Sequence, residues 1–446
     1  MVSAPPCLVR KEVFVSKLMR VVATTLIISP LWSRAASAAP SQPGSGAPPS
    51  CAALADAVAR SHPALRAARA RSNAATLRSR AEGSLPPPTA SFEIWDFPIG
   101  EPSRADEEGM YMLGLAQEFP GGGRSDRARA ETEMSREAKA EEADVARRLR
   151  ADAAHACVAW SIADAVRARL LDHRRLLEQV REASLVSYRG SAGGLGAVAR
   201  ADAEIAVADR RIAEVEAEAD TAHATLAALA GSDVGLPANA PALAERDESL
   251  ETSRLTELAL ANRGDIAAAR ARQGAASARA DAASSEANTP SFEVRATYMQ
   301  TPGMRPGLGA MVSMSLPWLW GGGGDRREGA RHEIEAASAE AESTRRAARV
   351  EVAQAAGRVQ ALRRSLAVLR EREIPAAERA VEAGRASLGS GGFDLSAWIE
   401  SATVLRAARV DEARARGEIE HAFVDLEASV GVTNGGAERK RGKAKP

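Results

Sequence analysis

The chain is poor in cysteine, in aromatic side chains and in net charge. Only three of its 446 residues are cysteines, Cys7, Cys51 and Cys157. That excludes a disulfide-built scaffold. Nothing in the spacing of Cys51 and Cys157 argues for a bridge, so both are expected as free thiols. Cys51 follows Pro48-Pro49-Ser50, which lacks the leucine of a lipoprotein box. Aromatics make up 4% of the residues, too little bulk for a wide globular core. Lys+Arg and Asp+Glu are equal at 59 each, which excludes the basic excess that a nucleic-acid partner requires.

Catalytic constellations are also missing. His62, His155, His173, His223, His332 and His421 are scattered, with no HExxH pattern and no Cys/His metal spacing. The glycine runs 121–123 and 321–324 lack the GK[ST] ending of a phosphate loop. They suit a turn from strand into helix. No enzyme and no cofactor is read from the chain.

One apolar stretch stands near the N-terminus. Lys17 and Arg20 precede the apolar run from Val21 to Trp32, and Ala36-Ser37-Ala38 offers a small-residue cleavage site. The run is shorter than the ~20 residues that span a bilayer. Residues 1–38 therefore read as a signal peptide, with Met1 or Met19 as the start, rather than as an anchor. Cys7 would leave with it.

What is abundant is alanine, charge and repetition. Ser91-Phe92-Glu93-Ile94 recurs as Ser291-Phe292-Glu293-Val294. Ala67-Ala68-Arg69-Ala70-Arg71 recurs as Ala268-Ala269-Arg270-Ala271-Arg272. A period of this length is too long for a solenoid unit and marks a duplicated architecture. The plan is a leader at 39–50, a first repeat at 51–232, a linker at 233–252, a second repeat at 253–431 and a disordered basic tail at 432–446. Each repeat reads as an Ala-rich helix, two strands, a very long helix, a glycine break and a returning helix.

In the first copy the expected elements are a helix from Leu54 to Gly83, strands at 91–97 and 110–119, a helix from Gly123 to Tyr188 and another to Leu229. In the second they are a helix over 255–283, strands at 291–299 and 308–318, a helix over 325–388 and another over 395–430. Pro375 falls inside the long second-copy helix and predicts a kink or local defect. The first returning helix carries a heptad. Ile205, Ile212, Ala219 and Leu226 lie seven apart, and Ala208, Val215, Ala222 and Leu229 fill the intervening core positions. The other reading is an amphipathic helix on a globular core.

The second-copy strands alternate. Phe292, Val294, Ala296 and Tyr298 share one face, and Glu293, Arg295, Thr297 and Met299 the other. Their length fits the roughly 9–11 residues of a tilted outer-membrane strand. Trp95, Phe97, Tyr298, Trp318 and Trp320 lie near strand ends, where interfacial aromatics sit. A half-buried sheet on a soluble domain would also alternate. Four strands per chain are fewer than the roughly eight of the smallest single-chain barrels, and an open edge cannot face lipid. Strands in a membrane would have to be pooled between chains.

In this order and in duplicate, these features resemble the TolC-like outer-membrane efflux family from Leu54 to Val430. The resemblance rests on the opening Leu54-Ala55-Asp56-Ala57-Val58 through His62-Pro63-Ala64-Leu65. It rests also on Leu115-Ala116-Gln117-Glu118-Phe119-Pro120 with Gly123-Arg124, and on Val312-Ser313-Met314-Ser315-Leu316-Pro317. Two hairpin tips look like the family's, one from Tyr188 to Ala201 and one from Leu388 to Ser401. A departure is Ala197 and Ala397, where an acidic residue is usual; that bears on tip hydrogen bonding and leaves the fold untouched. The strand regions lean toward the heavy-metal efflux branch.

The resemblance implies a mainly α fold with β: long coiled-coil hairpins plus four membrane strands per chain. Three chains would form a 12-stranded barrel in outer-membrane lipid, with a helical tunnel in the periplasm. It implies docking, tip to tip, onto a periplasmic adaptor (membrane fusion protein) linked to an inner-membrane pump. The chain would be a passive conduit for metal ions or small toxic molecules. The alternatives are a soluble periplasmic coiled-coil scaffold or the conduit of a type I secretion system. Candidate docking residues at the tips are Gly190, Gly193, Gly194, Leu195, Val198, Gly391, Gly392, Leu395 and Trp398. Met299 and Met304 are candidate ligands for soft Cu(I) or Ag(I), set against the alternative of flexible packing.

Overall fold

The computed structural model describes residues 49–96, 99–100, 104, 109–189, 195–246, 248–319, 322–387 and 395–431. The signal-peptide and tail assignments lie outside the described residues, as do Gly190, Gly193, Gly194, Gly391 and Gly392 at the tips.

Two copies of one plan follow each other. The first is α1 (Cys51–Ser61), α2 (Pro63–Glu82), β1 (Thr89–Trp95), β2 (Met110–Phe119), α3 (Arg124–Arg189) and α4 (Leu195–Ala230). The second is α5 (Thr252–Asn262), α6 (Gly264–Asn288), β3 (Phe292–Gln300), β4 (Gly307–Met314), α7 (Gly323–Val368), α8 (Ile374–Ser387) and α9 (Leu395–Val430). The single opening helix expected in each copy is two helices. His62 and Arg263 break them with nearly the same extended backbone, φ −60° ψ 134° and φ −68° ψ 130°. Pro63 causes the first break, because the residue before a proline is pushed out of the helical region. The matching break at Arg263-Gly264 shows that duplication preserved the conformation without the proline. The last strand ends at Met314, four residues short of the expected end, where Pro317 approaches and a turn begins.

α3 runs 66 residues without proline, about 100 Å at 1.5 Å per residue. Its counterpart is interrupted by a π turn over Leu369–Glu373, in which the Ile374 N–H bonds the Leu369 carbonyl. Pro375 has no N–H and its ring crowds the preceding turn. The wider π turn absorbs both, as the sequence anticipates.

Alanine lets these helices approach closely. α6 buries Ala268, Ala269, Ala271, Ala275, Ala276, Ala278 and Ala282 against α3 and α7. In α4 the heptad residues Ala208, Ile212, Val215 and Leu226 are buried on α3. Larger residues gather in patches along the rods. One patch holds Leu54, Val58, Trp160 and Leu226; another, Val352, Val359, Ile419 and Phe423. Farther along lie Val166, Leu170, Ile212 and Val410, then Val180, Val381, Trp398 and Ile399.

Cys51 and Cys157 form a disulfide with Cα atoms 5.5 Å apart, which overturns the expectation of free thiols. The bond ties the first residue of α1 to the middle of α3. The two come together because Leu54, Ala55 and Val58 bury their side chains in the same patch as Cys157.

Close packing makes Gly417 in α9 specific. A methyl there would overlap Cγ1 and Cδ1 of Ile162, which is itself packed against the third patch. Gly417→Ala gains roughly 1 kcal/mol of helix propensity but overpacks the contact, at a cost of roughly 1–3 kcal/mol. The expected result is a small net loss of thermal stability in detergent. A raised melting temperature would show that Ile162 relaxes freely.

Candidate channel wall and docking tips

The four strands form one antiparallel sheet in the order β1-β2-β3-β4, with β1 and β4 as open edges. The register places Phe92, Leu113, Tyr298 and Leu308 in one row across it. The next row along the same face is Ala90, Leu115, Ala296 and Ala310. This apolar face looks outward: Phe92 is 61% exposed, Leu113 57% and Leu308 85%. The strands pack on one another, and among the described residues no helix packs on the sheet.

The opposite face is small and polar. Ser91, Gly114, Thr297 and Gly309 make one row, and Glu93, Met112, Met299 and Gly307 the next. Arg295 lies 3.2 Å from Glu293 and 3.7 Å from Glu93 on that side. In β3 the polar positions are the half-buried ones and the apolar positions the exposed ones. A sheet on a soluble core has the reverse order. Apolar-out and polar-in is the order of an outer-membrane barrel wall. Among the described residues no helix is long and apolar enough to cross a membrane.

Of the methionines, Met112 and Met299 face each other directly on the polar side. Met304 lies in the β3–β4 turn, 70% exposed. The register does not pair Met304 with Met299. Among the described residues no group of three His, Cys, Asp or Glu is placed to hold a metal ion.

At the far end of the rods the tip residues divide. Leu195, the first residue of α4, is 63% exposed, and Val186 and Tyr188 on the preceding helix are exposed too. Val198 and Trp398 are buried within the chain. Trp398 packs with Val180, Val381 and Ile399, and its ring lies against Gly384. Within one chain these two side chains anchor the hairpins. Leu395 begins α9. The two tips are joined where Arg200 donates to Ser396 Oγ at 3.0 Å. Sequence reading missed Val186 as surface, since heptad position alone does not say which flank of a helix stays bare.

Between sheet and tips, the repeats are cross-linked by buried charge. Arg150 of α3 contacts Asp56 at 2.6 Å and Glu427 at 2.8 Å. Arg246 of the linker contacts Glu427 at 2.7 Å and Glu420 at 3.4 Å. Burial, and then the nearby Glu427 and Glu248, push the Glu420 carboxyl up, against the pull of Arg246. Arg263, at the break between α5 and α6, reaches Asp265 at 2.6 Å, Glu351 at 2.5 Å and the Ser429 carbonyl at 3.0 Å. Hydrogen bonds from its guanidinium to Asp265 and Glu351 raise its proton affinity despite burial. His173 is buried near Arg406 and Arg211, and burial first and these charges second lower its pKa to about 4. Apart from Asp265, two residues from Arg263, the partners of these groups lie far away in sequence, so spacing does not identify them.

Comparison with known proteins agrees with this architecture. Residues 255–432 match a family described as outer membrane efflux protein. No curated protein matches the chain significantly. Among solved structures it is similar to the outer-membrane channel OprN, with 21% identity, a TM-score of 0.72 and coverage of 85% of this chain and 89% of that one. It is similar to the outer membrane protein VceC of Vibrio cholerae, with 17% identity, a TM-score of 0.73 and coverage of 85% and 95%. It is also similar to CusC, whose structures concern transmembrane channel formation, with 16% identity, a TM-score of 0.73 and coverage of 86% and 92%. The second repeat matches the outer membrane efflux protein family, and the described chain as a whole has the fold of the channels it resembles.

Proposed function

We propose that this protein is the outer-membrane channel of a tripartite efflux system. Three copies pool their strands into a 12-stranded barrel, and their helices continue as a periplasmic tunnel. The chain is a passive conduit. An inner-membrane pump supplies the energy, and a periplasmic adaptor meets the helical tips. The cargo is metal ions or small toxic molecules.

One observation carries this reading: the exposed face of the sheet is the apolar one, and both sheet edges are open. In water such a face would lose about 25 cal/mol for each Å² of apolar surface left wet. In lipid the open edges would cost several kcal/mol per unpaired backbone group. Both costs vanish when copies close the sheet around a shared axis. The expected result is a protein that fractionates with the outer membrane and runs as a heat-resistant oligomer. A detergent-free monomer with its sheet intact rejects the reading and leaves a soluble scaffold.

The tips carry the docking part of the proposal, now centred on Leu195 with Val186 and Tyr188 beside it. Charged substitution at Leu195 and Leu395 together is expected to abolish efflux while oligomers still assemble. Retained resistance to the cargo in the double variant removes the tips from docking.

A further inference from the structure

One pair of titratable groups lies where the two repeats meet and belongs neither to the wall nor to the tips. His155 sits on α3 of the first repeat and His421 on α9 of the second. Their Nδ1 atoms are 2.8 Å apart. The ring centroids are 5.0 Å apart and the planes lie within 23° of each other. The centroid separation is close to the nitrogen–nitrogen distance plus the two ring radii. The rings therefore meet head to head in one plane, which is the geometry of an N–H···N bond and not of face stacking.

The tautomers follow from the neighbours. His155 Nε2 lies 3.0 Å from an Asp425 carboxylate oxygen. A ring nitrogen facing a carboxylate carries the hydrogen, so a neutral His155 has its hydrogen on Nε2 and accepts at Nδ1. His421 then donates from its own Nδ1. Arg358 of α7 lies 3.2 Å from Glu418 and 3.6 Å from the second Asp425 oxygen. The charges around the pair are thus Glu418 and Asp425 on α9 itself and Arg358 from α7, with His155 facing from α3.

We propose that His155 and His421 form a pH-operated latch that joins the two repeats at neutral pH and releases α9 from α3 in acid. The surrounding carboxylates outnumber the guanidinium by one, so the pair accepts a first proton. With one proton gained, a single hydrogen still lies between the two Nδ1 atoms and the contact holds. A second proton leaves an N–H on each side of the 2.8 Å contact, and the bond breaks. Burial, and next the His155 ring, hold His421 below the usual histidine value. A group depressed in the folded state contributes its full stability above its unfolded pKa of about 6.5. That contribution is lost as pH falls through the folded value. The window therefore lies on the acid side of neutrality.

The test uses the full chain as its detergent-solubilised oligomer. Amide exchange across 415–428, corrected for intrinsic chemistry, is expected to rise at least about tenfold between pH 7.5 and pH 5, the equivalent of about 1.4 kcal/mol of lost protection. His421→Gln keeps a donor for His155 but does not titrate, so its exchange profile should be flat. Imidazole C2 hydrogen exchange on the unmutated protein gives a second readout that needs no variant. There His421 should titrate below the ordinary histidine value of about 6.5. Flat wild-type exchange, an unchanged profile in His421→Gln, or a His421 titration at or above the ordinary histidine value would each overturn the latch. The outcome is independent of transport, so a protein that fails to export can still show it.

Discussion

Replacing Cys51 or Cys157 with serine is expected to lower stability by about 2–5 kcal/mol, the range for removing a native disulfide. The bond spans a sequence separation of 106 residues. In the chain-entropy account a closed loop of about 100 residues is worth roughly 4.7 kcal/mol, through the unfolded states that it forbids. The loop contains α2, the β1–β2 hairpin and the first half of α3. Losing the bond frees all of them together, while the native contacts of α1 with Trp160 and Leu226 remain. The effect should therefore appear as an earlier unfolding transition without a change of fold. Thiol labelling of the denatured protein gives an independent check. Cys51 and Cys157 should label only after reduction, and the single variants should expose one thiol. Labelling of both without reductant, or serine variants as stable as the parent, rejects the staple. Such a bond forms in oxidising compartments, which agrees with an exported protein.

A second large effect is expected on the sheet. Lysine at Leu113 and Leu115 together places two charges on the exposed apolar face, near the middle of β2. At the bilayer midplane a lysine on the lipid side of a barrel costs about 2–4 kcal/mol. Each copy in a shared barrel would carry that cost twice, and assembly should fail. Lysine at Thr297, on the opposite face beside Ser91 and Gly114, should leave assembly intact, since that side is wet in the proposed barrel. The contrast is the test. Outer-membrane fractionation and heat-resistant oligomers should vanish in the Leu113/Leu115 variant and persist in Thr297→Lys. Equal tolerance on both faces would mean that the sheet does not sit in lipid.

Much of this was legible before any coordinates. The repeat of Ser-Phe-Glu is local text, and so is the heptad of α4. Pro375 announces the π turn because a missing N–H is a property of one residue. Alternation in β3 fixes which side chains share a face. It cannot fix which face is outside, because apolar-in and apolar-out read identically along a single strand. That is decided by the side chains the fold leaves bare, Phe92, Leu113 and Leu308 among them. Trp398 illustrates the same limit at the tip: its place near a glycine break marks a turn, yet its ring faces inward because Gly384 leaves room for it.

The chain's sequence by itself determined the duplication, the length of the rods and their seams, and the positions of the strands. Each of these depends on residues close together along the backbone. Only the tertiary structure decided the Cys51–Cys157 bond, the Arg150–Glu427–Arg246 chain and the contact of His155 with His421. Their members lie on different elements, far apart in sequence. They meet because buried alanines and leucines bring α1, α3 and α9 together, and no local pattern encodes where two such rods touch.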